Sequence, residues 1–308
     1  MHRRAFINTA AAVTFAHVAP DFLAFAPLPI SPMELGLLIA PSGDPEAFLR
    51  RVRELGFTNC FLSLDSYLGG FTQSLVSTFR ELISKYGLTI TTVEVVGPGP
   101  LVWDFKRGPS TIGLVPPSTR SARIDALRQA ADFAKQLGIA QLQTHCGFIP
   151  EDPADPLYEP TVAAIREVTS HCQSNGQHFL METGQETPTT MSRMLRDVAM
   201  PNLAVGLDTA NLILYGKANP VDAIDILGRH IRSIHAKDGR WPTDPSKLGQ
   251  EVLIGKGLVD FKQVFAKLHG LGYSGAVTIE RETSGPQQIA DVRQEKLYLE
   301  GILRDVLA

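Results

Sequence analysis

"RIDALRQAADFAKQLGIAQLQTH", Arg123 to His145, carries the pattern that decides the fold. Ile124, Leu127, Ala131 and Ala134 recur at three- and four-residue steps, the spacing of one helical face. Gly138 follows, a residue that closes helices because it accepts a left-handed backbone. Then "IAQLQTH" reads as a short strand that ends in a histidine.

The same unit recurs along the chain. Strand-like runs stand at "MELGLLIA", "NCFLSL", "LTITTVEVV", "IAQLQTH", "HFLMET", "LAVGLDT", "IRSIHA" and "GAVTIE". Amphipathic helical patterns lie between them, among them "PEAFLRRVRELG", "SLVSTFRELISKYG" and "DFKQVFAKLHGLG". Gly56, Gly87 and either Gly270 or Gly272 are placed to end helices as Gly138 is. Asp44-Pro45 and Asp260-Phe261 read as helix starts. Strands that alternate with helices imply a parallel sheet. Eight such units imply an α/β chain folded as a single closed (β/α)8 barrel, a TIM barrel. An open doubly wound sheet is the alternative. It calls for a glycine-rich dinucleotide turn after the first strand, where this chain reads "LIAPSGDPEAF". Three long segments, Gly97 to Ser118, Gly147 to Pro160 and Asp238 to Gly257, follow strands and are placed to cover a site. Trp103 and Phe105 in the first are candidates for a pocket wall, against a self-packed loop.

The chain has 308 residues, 44% of them hydrophobic, and a net charge of −3, which suits a globular domain spanning residues 27–308. With Lys and Arg spread along a chain of this charge, nothing predicts a nucleic-acid partner, since such binders usually show a basic face. Its cysteines, Cys60, Cys146 and Cys172, show no CxxC spacing, so neither a disulfide framework nor a zinc knuckle is expected. The first 26 residues read differently. Arg3-Arg4, Phe6-Ile7, a modest apolar run and "AFA" at Ala24 to Ala26 form the layout of a twin-arginine export signal, cleaved after Ala26. His17, Pro20 and Asp21 break that run, so no stable membrane insertion is expected. Export to the periplasm is the expectation from this segment, and a cytoplasmic protein with an irregular N-terminal segment is the alternative.

In a barrel the C-terminal ends of the strands form the active face. The fourth run ends at His145, the fifth at Glu182, the sixth at Asp208 with Asn211 just beyond, the seventh at His235 and the eighth at Glu280. One polar strand end surfacing into water is unremarked, because water satisfies it. Four on neighbouring strands converge. Three carboxylates, Glu182, Asp208 and Glu280, with one imidazole, His235, suit one divalent cation: Mn²⁺ is favoured, with Mg²⁺, Co²⁺ and Zn²⁺ as alternatives. His145 and Lys237 are candidates for binding substrate oxygens; a histidine satisfied by backbone and a solvated loop cation are the competing readings. Arg281 is expected to point away from Glu280, since neighbours on a strand face opposite ways. Asp238 and Arg240 read as the start of a loop.

The segments "THCGFIPEDP", "METGQET", "GLDTANLILYG", "SIHAKDG", "IGKGLVDF" and "GYSGAVTIERE" resemble the xylose isomerase-like barrels, the sugar phosphate isomerases and epimerases. The resemblance runs from Leu35 to Leu303. It implies that Glu182, Asp208, His235 and Glu280 bind one metal, and that Glu182 and Glu280 are the catalytic acid/base pair. It implies a small carbohydrate as substrate, for which His145, Lys237, Asn211, Glu186 and Trp103 are the candidate binding residues of this chain. A homo-oligomer is compatible with it. The chain departs from the ketose 3-epimerases at two places. Asn211 stands where they carry a histidine, and Pro188 stands where they carry a second glutamate, with Glu186 close by. The implied reaction is proton abstraction next to a carbonyl through an enediolate, giving isomerisation or epimerisation. Elimination from a 3-keto-glycoside or an inosose is the alternative. Two other readings are a phosphodiesterase of the endonuclease IV kind, which needs more histidines and a basic face, and a barrel without catalysis.

Overall fold

The computed structural model describes residues 30–308, so the export signal expected at residues 1–26 lies outside the described residues. The strands are β1 (Leu35–Ile39), β2 (Asn59–Ser63), β3 (Thr89–Glu94), β4 (Gln141–Thr144), β5 (His178–Glu182), β6 (Leu203–Asp208), β7 (Ile231–Ala236), β8 (Asp238–Arg240), β9 (Gln250–Val252) and β10 (Val277–Ile279). The helices are α1 (Glu46–Glu54), α2 (Gln73–Tyr86), α3 (Gly108–Thr111), α4 (Pro117–Gln136), α5 (Tyr158–Ser174), α6 (Pro188–Val198), α7 (Asn211–Leu214), α8 (Pro220–Leu227), α9 (Phe261–Gly270) and α10 (Gly285–Leu307).

Eight strands close in the order β1, β10, β7, β6, β5, β4, β3, β2, and every neighbouring pair is parallel. This is the expected single (β/α)8 barrel. Closure comes from β1 pairing β10, with Leu35 opposite Val277. The two remaining strands, β8 and β9, form an antiparallel hairpin inside the long segment after β7. Asp238 and Arg240 therefore belong to a short strand and not simply to a loop.

The period-2 alternation of each strand sorts its side chains between two environments. Val93, Leu142, Phe179, Met181, Val205, Leu207, Ile234, Val277 and Ile279 are buried in the layer shared with the helices. Each such side chain stabilises the fold by about 1.5–3 kcal/mol relative to exposure. The alternate positions, Phe61, Glu94, Gln143, Glu182, Asp208, His235 and Glu280, are thereby turned into the barrel. Gly206 is required by that interior: a Cβ there would lie 2.1 Å from Oε1 of Gln143. Arg281, one residue past Glu280, faces outward as expected and pairs with Asp291 of α10 at 2.9 Å and with Glu251 at 2.7 Å.

Helix ends follow the expected chemistry. Gly56, Gly87, Gly138 and Gly272 all adopt positive φ, and Asp260 caps α9 by accepting from Gln263 N at 3.0 Å. The long segment after β3 is tied down by Arg123, whose fully buried guanidinium donates to the carbonyls of Pro98, Pro100, Thr111 and Gly113 at 3.1, 3.2, 2.6 and 2.8 Å. The segment after β7 is tied down by Asp238. Its carboxylate accepts from the backbone N–H of Gly239, Gly255, Gly257 and Val259 at 2.8, 2.9, 2.8 and 3.1 Å. Gly257 leaves the room for this, because a Cβ there would meet Asp238 Oδ1 at 2.1 Å. Asp238→Ala strands four N–H donors at a buried site and is expected to lower stability by about 3 kcal/mol. Urea unfolding measures this. A loss below about 0.5 kcal/mol would show that the segment is held by something else.

Candidate active site

Strand register brings the four strand-end residues together. Asp208 lies directly opposite His235 across β6 and β7, Glu182 opposite Gly206, and Glu280 N bonds to Ala236 O at 3.1 Å. His235 is the centre of the cluster. Its Nδ1 is 3.3 Å from Glu182 Oε1 and 3.0 Å from Glu280 Oε2. Phe61 backs the ring edge-on at 4.5 Å and fixes its plane. Asp208 is oriented by two N–H groups at the start of α7, with Oδ1 accepting from Ala210 at 2.8 Å and Asn211 at 2.7 Å. Its Oδ2 is buried and has no hydrogen-bond partner, like His235 Nε2.

These unpartnered atoms test whether a metal fits. Glu182, Asp208, His235 and Glu280 each offer a ligand atom, and those atoms all lie within 4.8 Å of one another. Buried carboxylates this close repel one another unless a cation lies among them. An oxygen-rich donor set with one imidazole suits a divalent ion. Glu182, Asp208, His235 and Glu280 would hold it. A second set, Glu94, His145 and Glu182, adjoins the first and shares Glu182 with it.

Lys237 is 2% exposed and lies inside the site, so it is no solvated loop cation. Its ammonium is 3.2 Å from Glu280 Oε1, 3.8 Å from Asp208 Oδ2 and 3.5 Å from Asn211 Oδ1, and it also pairs with Glu282. Burial opposes its charge, but Glu280, Asp208 and Glu282 outweigh burial and raise its pKa well above the usual lysine range. Burial likewise opposes ionisation of Glu280, and Lys237 and His235 pull that carboxyl well below the usual range. Glu182 is held at about 2 against its burial by His145 and His235. Burial, reinforced by Glu182, pushes Glu94 well up, so Glu94 stands as a neutral acid beside an ionised one.

The other expected substrate residues divide. Asn211 donates to Glu182 Oε1 at 3.3 Å, next to Lys237. His145 is not satisfied by backbone: Nε2 is 3.3 Å from Glu182 Oε2, and Nδ1 is 3.2 Å from Gln185 Nε2. Trp103 stands 4.9 Å from the His145 ring and is 40% exposed. Phe105 instead packs edge-on against Tyr215 at 6.2 Å. Glu186 is 1% exposed, and neither of its oxygens has a hydrogen-bond partner, so it stands apart from this network. Burial pushes its carboxyl up to about 8. A raised folded pKa means its contribution to stability is full below the unfolded value near 4.5 and is lost as pH rises through about 8. Glu186→Gln removes that titration. Its melting temperature is expected to match the wild type near pH 5 and exceed it at pH 9; equal values at both would refute the buried-acid assignment.

Residues absent from the sequence expectations also enter the site. Gln143 donates to Glu182 Oε2 at 3.0 Å from inside the barrel. Glu94 ends β3, yet Val95 and Val96 extend the apolar run and hide that end. Glu282 reaches Lys237 from two residues beyond Glu280. Its alternate spacing from Glu280 was the available signal.

A family model for the xylose isomerase-like TIM barrel matches residues 49–303. The chain belongs to that family. A solved xylose isomerase domain protein from Planctomyces limnophilus superposes with a TM-score of 0.84 at 29% identity, covering 90% of this chain and 99% of that one. An inosose dehydratase from Geobacillus kaustophilus is 24% identical over 256 residues, 76% of this chain and 70% of its own length. An uncharacterised protein from Methanocaldococcus jannaschii is 23% identical over 174 residues, and the chain spans only 58% of that relative's length. The chain is thus a barrel of this family that carries a carboxylate–histidine cluster able to hold a metal ion. No helix among the described residues is long and apolar enough to cross a membrane.

Proposed function

We propose that this protein is a divalent-metal-dependent carbohydrate isomerase or epimerase that removes a proton from a carbon next to a carbonyl. The observation that carries the reading is the convergence of Glu182, Asp208, His235 and Glu280 within 4.8 Å, with Lys237 against the same carboxylates. A bound divalent cation, Mn²⁺ by preference, supplies Lewis-acid polarisation of the substrate carbonyl.

The chain's own groups supply the rest. Glu182 and Glu280 flank His235, so two ionised carboxylates border one reacting centre. One ionised carboxylate accepts the proton from carbon and can give that same proton back to the neighbouring carbon, whereas delivery to the opposite face requires the other carboxyl to carry a proton when the enediolate forms. Return on the opposite face epimerises the carbon, and return to the neighbouring carbon isomerises the sugar. The Lys237 ammonium, held in place by Glu280 and Glu282, is available to a substrate oxygen that gains negative charge. His145 and Asn211 offer further donors at the rim of Glu182, and Trp103 walls the sugar on the outer side.

Elimination is the second reading, and Asn211, a departure from the ketose 3-epimerases, counts against simple ketose epimerisation. A carboxamide neither gives nor takes a proton, so the position that carries a histidine in the ketose 3-epimerases cannot serve acid/base chemistry here. The inosose dehydratase relative supports the same reading. The Arg3-Arg4 segment supports export, and an exported enzyme meets unphosphorylated sugars or oxidised glycosides more readily than sugar phosphates. Incubating the metal-loaded protein with ketoses, inososes and 3-keto-glycosides in D₂O tests all of this. Deuterium is expected at the carbon beside the carbonyl, and the product separates epimerisation, isomerisation and elimination. A protein with stoichiometric metal and no exchange on any member of the panel would sink the enolisation reading.

A further inference from the structure

The opposite end of the barrel holds a second concavity. A cavity of about 610 Å³ opens between α6, the starts of β5 to β7 and the turn Gly228–His230. Its volume falls in the range of small-molecule sites, roughly 300–1,000 Å³. Leu195, Met200 and Leu203 give it an apolar floor, and Arg196, Arg229 and Arg232 give it three guanidinium groups. No carboxylate lines it. Arg196 leans on Asp197 at 3.1 Å, but among the described residues no carboxylate lies within ion-pair distance of Arg229 or Arg232. Arg229 Nε donates to His230 Nε2 at 3.0 Å, which sets the direction of the guanidinium and uses the imidazole as a neutral acceptor. Burial and the neighbouring arginines keep both lining histidines low, His178 at about 4, so neither adds charge near neutral pH.

The N-terminal face of a barrel does no chemistry in this architecture, and a core contact there calls for apolar residues. Like charges gathered around a concavity repel one another and create a strong positive potential inside it. Guanidinium groups answer that potential best with a phosphate or carboxylate, through paired N–H donors. We propose that this cavity is a second ligand site, remote from the metal cluster, for an organic anion. Arg229 and Arg232 take its phosphate or carboxylate group, and Leu195, Met200 and Leu203 take its apolar body. The site is independent of the proposed reaction at the other end of the barrel.

Calorimetric titration of the full chain with phenyl phosphate, benzoate, inorganic phosphate and benzyl alcohol tests it. Phenyl phosphate or benzoate is expected to saturate one site, and the tighter of the two identifies the anionic group. Inorganic phosphate is expected to bind more weakly and benzyl alcohol not at all. The double variant Arg229→Ala/Arg232→Ala is expected to weaken binding at least about tenfold. Arg229→Gln/Arg232→Gln, which keeps most of the side-chain bulk, should do the same with an unchanged melting temperature. Glu280→Gln, at the other end, should leave binding within about twofold. The proposal is overturned if neither organic anion saturates by roughly 10 mM, if both double variants bind as the wild type does, or if Glu280→Gln is the variant that abolishes binding.

Discussion

Glu280→Gln is expected to cut turnover by about 10³-fold or more while the protein stays folded. Glu280 is the one member of the quartet with appreciable access to the pocket, its side chain being 15% exposed against 2% or less for Glu182 and His235. It touches two other groups of the site, with Oε2 at 3.0 Å from His235 and Oε1 at 3.2 Å from Lys237. Glutamine keeps the shape but removes the charge and the ability to take a proton. Lys237 retains Glu282 and Asp208, so the fold is spared an unpaired buried ammonium. Steady-state kinetics on the substrate found by deuterium exchange, beside the melting temperature, reads the result. Asp208→Asn provides the contrast, since it removes a ligand while leaving both glutamates in place. A Glu280→Gln protein within about tenfold of wild-type turnover would remove Glu280 from the catalytic machinery.

Chelation is expected to abolish turnover altogether, and re-addition of Mn²⁺ or a similar divalent ion to restore it. The physical reason lies in the buried charge. Glu182, Asp208 and Glu280 crowd one small volume, and Asp208 Oδ2 and His235 Nε2 are buried without partners. A cation that binds the folded chain alone stabilises it by about 2.7 kcal/mol at a hundred times its dissociation constant. The melting temperature should therefore fall with chelation and recover with metal, apart from any assay of activity. Metal analysis that finds none bound, together with full turnover in excess EDTA, would end the metal-dependent reading.

Much of the candidate site was legible in the chain because each proposed ligand ends an apolar run. "HFLME", "LAVGLD" and "IRSIH" announce Glu182, Asp208 and His235 by the abrupt change from apolar to ionisable. Arg281 was legible for the same reason, since alternation alone turns it away from Glu280. Glu94 was hidden by the valines that follow it, and Gln143 by its place in the middle of a run. Lys237 was ambiguous. Its neighbours in sequence are polar, while its partners are Asn211, Glu280 and Glu282, 26, 43 and 45 residues away. Arg123 read as one more helical residue, although it ties four loop carbonyls to α4.

The sequence by itself determined the barrel, the strand ends that carry ionisable groups and the face those groups share. Hydrophobic periodicity is a local property, set by 3.6 residues per helical turn and two per strand repeat, so it can be read along the chain. Only the tertiary structure decided who meets whom. Barrel closure and strand register put Asp208 opposite His235 and buried Lys237 among the carboxylates. They also gathered arginines from α6, the turn before β7 and β7 itself around a cavity at the far end. Those encounters join residues distant in the chain, and their energies depend on burial and distance, which no local pattern records.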